Sequence, residues 1–112
     1  MDQEHLRDLF AGLPQLSIRR LFGGFGLYSQ GWVFAIIGFD QIWIKADAQT
    51  VPLFEQAGSK RFSYVGKNTI VALPYWSLPD QAIDDPDEAL KWARLGLAAS
   101  MRAPIKRRTP KP

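Results

Sequence analysis

Between residues 17 and 46 the chain consists of short runs with a side-chain period of two, one of them apolar throughout, which are separated by only a few turn-forming residues. This period of two indicates β-strands: one over residues 18–29, bent at a glycine pair, and two more over residues 32–37 and 41–46. Parallel neighbours would need a crossover connection of about a dozen residues or more. The short connections therefore predict an antiparallel meander.

The rest of the chain predicts helices around this sheet and one more pair of strands. Residues 61–65 and 69–73 indicate a hairpin, which brings the sheet to five strands. Apolar side chains recur at helical spacing over residues 6–13 and again, behind a capping signal, over 86–101, and a shorter helix is predicted over 47–57. The sequence thus predicts an α+β fold: a two-layer domain with an antiparallel five-stranded sheet, a meander plus a hairpin, and flanking helices.

The predicted strand over residues 32–37 is apolar on both of its faces. A strand with this pattern belongs to a sheet that is covered on both sides. The three predicted helices can cover one face. The other face is covered either by a partner subunit, which predicts a homodimer, or by one helix that wraps around to it.

The net charge of +3 is unevenly distributed along the chain. Residues 102–112 hold five basic residues and no acidic one, whereas residues 1–101 hold nine basic and eleven acidic residues, a net charge of −2. We expect a folded body over residues 1–101 and a disordered basic tail over 102–112, with the tail attracting phosphates. The body could bind DNA directly only if its cations gather on one face. The candidate nucleic-acid contacts of the tail are Arg102, Lys106, Arg107, Arg108 and Lys111.

The sequence offers few groups for catalysis. It contains no cysteine and a single histidine, His5, and no serine stands in the G-x-S-x-G pattern of hydrolases. Gly23, Gly24 and Gly26 lack the third glycine and the following helix of a dinucleotide-binding loop, so we interpret them as a bend in a strand. We predict no catalytic residue, no cofactor and no metal site. No apolar run is long enough to cross a membrane, and we expect a cytoplasmic protein.

Two residue pairs have alternative interpretations. Arg19 and Arg20 are adjacent on a predicted strand, so they point to opposite faces, and one of them could pair with a carboxylate or stack on an aromatic ring. Tyr75 and Trp76 lie between two prolines, in what we interpret as a rigid connector over residues 74–79. Their side chains either pack in the core or form a recognition surface.

Three segments carry a resemblance to a known family: SIRRLFGGFGLY, KADAQTVPLFEQAGSKRFSY and LPYWSLPDQAIDDPDEALKWARLGLAAS. In this order and spacing the chain resembles the N-terminal domain of the TfoX/Sxy family over residues 4–101. The resemblance implies a two-layer α+β domain without an established catalytic residue. The motif positions that it identifies are Arg20, Phe22, Gly23, Gly24, Gly26, Lys45, Asp47, Gly58, Ser59, Pro74, Tyr75 and Trp76.

The resemblance also implies a function, because full-length members regulate DNA-uptake competence in bacteria and promote transcription alongside the cyclic-AMP receptor protein. They carry a second, helical domain, and we expect a stand-alone N-terminal domain here. We therefore expect a non-enzymatic regulatory or interaction module that acts through protein–protein contacts, with the transcription machinery as the expected partner. Two alternatives remain open: direct DNA binding through the basic tail and the arginines, and a small-ligand binder or enzyme with Arg20 or Lys45 beside a carboxylate in a deep pocket.

Overall fold

The computed structural model of the protein describes residues 1–21 and 23–103. One antiparallel sheet packs against helices, which confirms the predicted α+β class. The helices are α1 (Gln3–Leu9), α2 (Val51–Gln56) and α3 (Pro86–Arg102), with a 3₁₀ turn over Asp80–Ala82. The strands are β1 (Leu16–Leu21), β2 (Gly24–Ser29), β3 (Trp32–Gly38), β4 (Gln41–Lys45), β5 (Arg61–Val65) and β6 (Ile70–Ser77).

The sheet has six strands rather than the predicted five, in the order β1-β2-β3-β4-β6-β5, and every neighbouring pair is antiparallel. The difference lies at the first glycine pair. Instead of bending within one strand, the chain reverses between Leu21 and Gly24, which are partners in the β1–β2 ladder. Gly23 has a φ of 55°, in the left-handed region that tight hairpin turns use. The prediction of one bent strand was wrong because the chain forms a hairpin at Gly23, and Gly24 already belongs to β2.

The predicted connector over residues 74–79 was also wrong, because residues 74–77, four of its six, belong to β6. Tyr75 is the ladder partner of Lys45 in β4, and β6 lies between β4 and β5. Pro74 fits inside the sheet because the β5–β6 register shifts around it, where the ladder needs no N–H. Its carbonyl oxygen accepts a hydrogen bond of 2.9 Å from the backbone N–H of Ala46.

All three helices pack on the same face of the sheet. The predicted apolar stripe of α1 is buried there, and Phe10 meets Phe34 of β3 edge to face, with ring centroids 5.3 Å apart. Farther along the core, the ring centroids of Phe54 in α2 and Trp92 in α3 are 4.8 Å apart. Burying apolar side chains of this size stabilises the fold by about 1.5–3 kcal/mol each.

Helix α3 lies close to the sheet because most of the residues that face it are small. A Cβ atom on Gly96 would lie 2.6 Å from the carbonyl oxygen of Phe34, so α3 and β3 are in close contact at this glycine. The helix begins at the predicted cap, where a carboxylate oxygen of Asp85 accepts hydrogen bonds from the N–H groups of Asp87 and Glu88. The buried residues of α3 are Ala89, Trp92, Ala93, Gly96, Ala99 and Ser100.

The second face of the sheet is covered in part by the chain's own β5. Phe62 lies at the β5–β6 register shift, and its ring stacks on Trp43 of β4 with centroids 4.7 Å apart and ring planes 21° apart. Both side chains are buried. Within residues 1–21 and 23–103 no helix wraps onto this face, so that alternative was wrong. The homodimer stays a prediction.

Candidate functional site: the open face of the sheet

The second face of the sheet, on which none of the helices α1, α2 and α3 packs, forms the candidate functional site, and we call it the open face. Ladder pairing puts its members on one side: Ile36 pairs with Gly26 and Trp43, and Lys45 pairs with Tyr75. None of its side chains belongs to the cluster between the sheet and the helices. The open face consists of Arg19, Leu21, Tyr28, Ile36, Phe39, Trp43, Lys45, Phe62, Tyr64, Leu73 and Tyr75.

A cavity of about 550 Å³ opens on this face, and its lining is predominantly apolar. Ile36 and Gly38 of β3 line it together with Leu21 of β1 and Tyr64 of β5. Two aromatic side chains at its rim reach into solvent: Phe39 is 74% exposed and Tyr64 is 45% exposed. The volume lies in the range of sites that hold a small molecule, and it can also hold a large apolar side chain.

The glycines of β2 allow other chain segments to lie against this strand. A Cβ atom on Gly24 would collide with the carbonyl oxygen of Ile37 in β3. A Cβ atom on Gly26 would lie 2.9 Å from Cδ1 of Leu21 and 3.0 Å from Cε1 of Tyr28. The glycines therefore shape the β1–β2 end of the open face. They lie in a strand rather than at the start of a helix, which is consistent with a structural role.

Two cations stack on two phenol rings at the end of the open face away from the cavity. The guanidinium carbon of Arg19 is 4.9 Å from the ring centroid of Tyr28, and the ammonium nitrogen of Lys45 is 5.3 Å from that of Tyr75. Burial raises the pKa of Tyr75 to about 12, and the nearby Tyr28 phenol adds to the shift. The Tyr75 phenol therefore stays neutral near pH 7, and the positive charges of Arg19 and Lys45 define this end of the face.

Charge is divided between the two layers of the domain. The six strands carry no acidic residue, and ten of the eleven acidic residues lie on the helices, the 3₁₀ turn or the segments beside them. The remaining one, Asp40 in the β3–β4 turn, lies 3.3 Å from the N-terminal amine. The slightly acidic body thus has a basic sheet and an acidic helical layer. The basic residues on the strands and on the segments flanking β5 are Arg19, Arg20, Lys45, Lys60, Arg61 and Lys67.

Three motif residues organise the end of β4 and helix α2. Asp47 accepts two hydrogen bonds from the guanidinium of Arg102, 2.8 Å from Nε to Oδ2 and 3.0 Å from Nη2 to Oδ1, and this pairing lowers the pKa of Asp47. Gly58 follows α2, and the hydroxyl of Ser59 donates to the carbonyl of Ser77 at 2.8 Å. Arg102, which the sequence placed in the tail, therefore ends α3 in an ion pair.

The other motif residues divide between the two faces of the sheet. Trp76 packs toward the core, with its ring centroid 6.4 Å from that of Phe54, whereas Tyr75 lies on the open face. Arg20 is exposed, and strand alternation points it away from Arg19. The roles predicted for the tail cations stay predictions. Phe22, Lys106, Arg107, Arg108 and Lys111 lie outside the residues that the structure describes.

Sequence reasoning did not identify the residues that shape the open face, among them Ile36, Trp43, Phe62 and Tyr64. The available signal was the apolar character of both faces of residues 32–37, which indicated that the second face is partly covered. It did not indicate that β5 supplies the cover, because a register shift cannot be inferred from periodicity.

The charged groups of the described residues lie outside the lining of the open-face cavity. The lining of the open-face cavity includes no carboxylate, and neither Arg20 nor Lys45 belongs to it. Across residues 1–21 and 23–103, no three His, Cys, Asp or Glu side chains are grouped as metal ligands would be. His5 is exposed on α1. In the same ranges, no helix has the length and apolar character needed to span a membrane.

Comparison with known proteins gives one consistent result. The family model of the TfoX N-terminal domain matches residues 8–100. The DNA transformation protein TfoX1 of Aliivibrio fischeri (strain ATCC 700601 / ES114) is 25% identical over 84 residues. The aligned part is 71% of this chain but 40% of the relative, so the chain spans about two fifths of that relative's length.

Proposed function

Because the chain belongs to the TfoX N-terminal domain family, we propose that it is a non-enzymatic regulatory module of the cytoplasm that acts through contacts with a protein of the transcription machinery. The observation that carries this proposal is the open face, an exposed apolar and aromatic surface on a sheet whose other face holds the core. Exposed aromatic side chains around an apolar cavity are the residue types that dominate binding energy at protein interfaces.

A second candidate function, direct contact with DNA, is favoured by one specific observation. Six of the nine basic residues of the body lie on the strands or beside β5, although the net charge of the body is negative. A basic surface attracts phosphates whatever the net charge of the whole domain. The apolar lining of the cavity favours a protein partner over DNA, and oligonucleotide binding is measured beside peptide binding in the experiment below.

The proposal is tested by transferring this chain into the relative. In Aliivibrio fischeri without TfoX1, a chimera in which this chain replaces the matching segment of TfoX1 should restore DNA transformation. The double variant Phe39→Ser/Tyr64→Ser should lower the transformation frequency by about ten-fold or more, because it removes both exposed aromatic side chains at the rim of the cavity.

The matched control for this experiment is Leu53→Ser/Met101→Ser. These two apolar side chains lie on the helical layer and are 43% and 45% exposed, so their loss changes a similar kind of surface away from the open face. The control should transform as well as the unsubstituted chimera. Equal losses in both double variants, or no transformation by the unsubstituted chimera, would contradict the proposal.

A further inference from the structure

The charge of the open face limits what can bind to it. Arg19 and Lys45 are its charged side chains, both are basic, and the strands around them carry no acidic residue. Arg61, Lys60 and Lys67 add positive charge along the neighbouring hairpin. Complementary charge across an interface speeds association and excludes partners of the same sign. An acidic partner therefore fits this surface, and a basic one does not.

The cavity adds a second requirement. Its lining is apolar, and Phe39 and Tyr64 extend the apolar surface to its rim. Filling such a cavity from water stabilises a complex only if the inserted group is itself apolar. A suitable partner thus combines acidic residues, placed near Arg19 and Lys45, with at least one large apolar side chain placed in the cavity.

Three other occupants match this surface less well. Residues 104–112 of the chain itself contain four basic residues and no acidic one, so their charge has the wrong sign. A second copy in a two-fold arrangement would bring Arg19 and Lys45 of both protomers into one interface. A nucleic acid has the right charge, but strong binders make on the order of six to ten phosphate contacts. The open face itself offers two basic side chains, Arg19 and Lys45, which are too few for such a set of contacts but sufficient for a short acidic segment.

On these grounds we propose that the open face binds an acidic peptide segment of another protein, which inserts a large apolar side chain into the cavity lined by Leu21, Ile36 and Tyr64. This inference rests on the proposed function, because it names the chemistry of the partner that the open face receives.

The experiment selects peptides from a random display library on the full chain, with the Phe39→Ser/Tyr64→Ser variant used for counter-selection. The selected peptides should carry net negative charge and at least one large apolar residue. In fluorescence anisotropy, Arg19→Glu/Lys45→Glu should weaken binding of a selected peptide by about ten-fold or more at low salt. The control Arg7→Glu/Arg94→Glu reverses two exposed cations of the helical layer and should leave the affinity unchanged.

A peptide of reversed charge distinguishes lost charge complementarity from lost stability in the Arg19→Glu/Lys45→Glu variant. A version of the selected peptide with lysine at its acidic positions should bind Arg19→Glu/Lys45→Glu more tightly than it binds the wild-type chain. Restored binding requires a folded open face, so a merely unfolded variant cannot produce it.

Four outcomes would overturn the inference. They are selection of neutral or basic peptides, failure to select any peptide that depends on Phe39 and Tyr64, tighter binding of duplex or single-stranded oligonucleotides than of the acidic peptide, and a dimer in sedimentation experiments that the Phe39→Ser/Tyr64→Ser variant dissociates. If the chimera still requires Phe39 and Tyr64 for transformation, the proposed function survives either of the first two outcomes, and only the partner chemistry is wrong. The third outcome would favour direct contact with DNA over the proposed function.

Discussion

The burial of Tyr75 on the open face makes the stability of the fold depend on pH. Its phenol is largely buried beside Lys45, and burial raises its pKa from 10.0 to about 12 because the phenolate would lose its hydration. The folded state therefore holds this proton more strongly than the unfolded state does. The corresponding stability is fully present below about pH 10 and is lost as the pH rises toward 12.

We predict that Tyr75→Phe weakens this alkaline loss of stability. Urea midpoints measured at about pH 8 and about pH 11 should fall less in the variant than in the wild-type chain, because the variant has no buried phenol to ionise. Tyr64→Phe controls for the loss of a phenol from the exposed rim and should keep the wild-type pH dependence. Parallel pH profiles for Tyr75→Phe and the wild type would show that Tyr75 does not ionise on unfolding.

At the scale of elements, the sequence predicted those features that depend on local signals. The cap of α3 is one example, because Asp85 bonds to the N–H groups of the first helical turn from within a few residues. The β1–β2 turn is a counterexample. A glycine pair fits both a bend and a hairpin turn, and only the pairing of Ile18 with Leu27 across the turn decides between them.

The second half of β6 could not be predicted for a related reason. Pro74 lacks an N–H group and therefore indicated a connector. In the folded sheet the β5–β6 register changes between Arg61 and Ser63, and the guanidinium Nε of Arg61 donates to the carbonyl of Leu73 at 3.0 Å. This irregular pairing accommodates the proline. It also places Phe62 over Trp43, so the coverage of the open face depends on a contact that no local pattern encodes.

Helix α3 gives a prediction about the contact between the two layers. Gly96→Ala should raise helix propensity by about 1 kcal/mol, but its Cβ atom would lie 2.6 Å from the carbonyl oxygen of Phe34 and 2.7 Å from Cγ2 of Ile44. Because moving the sheet backbone away from this Cβ atom costs free energy, we expect a net loss of about 1–3 kcal/mol in unfolding free energy, measured by urea denaturation.

Gly12→Ala is the matched control for this prediction. Its added Cβ atom would meet Cδ2 of Leu90 at 2.8 Å, which is the end of a flexible side chain rather than backbone. The control should therefore lose much less stability than Gly96→Ala. A Gly96→Ala variant as stable as the wild type would show that α3 can move away from β3 without loss.

At the scale of the whole molecule, charge counts along the chain conceal how charge is arranged in space. The sequence predicted a slightly acidic body, and that count is correct. In the folded domain the positive and negative charges are separated. The strands carry basic residues, whereas the acidic residues lie at helix starts and in connections, as Asp85 and Asp47 do. The candidate site depends on this separation and on the sheet order, which brings strands from distant parts of the sequence onto one face.

The Asp47–Arg102 pair joins segments that are 55 residues apart, and its effect on stability should depend on pH. The hydrogen bonds from Arg102 hold the pKa of Asp47 below its ordinary value of 3.8. A carboxyl group with a depressed folded pKa stabilises the fold above its unfolded pKa, and this contribution is lost as the pH falls through the folded pKa. Asp47→Asn should therefore lower the melting temperature slightly at neutral pH, and the difference should shrink below about pH 4.

A double-mutant cycle with Arg102→Gln tests whether this effect belongs to the pair. Each single variant should show the same small loss near neutral pH, and the double variant should lose little more, because the second substitution removes a partner that is already absent. Asp84→Asn changes an exposed acidic residue near the start of α3 and should show no such coupling with Arg102→Gln. Additive losses in the Asp47→Asn/Arg102→Gln variant would mean that the two residues act separately, and the end of α3 would then have no electrostatic tie to the segment that follows β4.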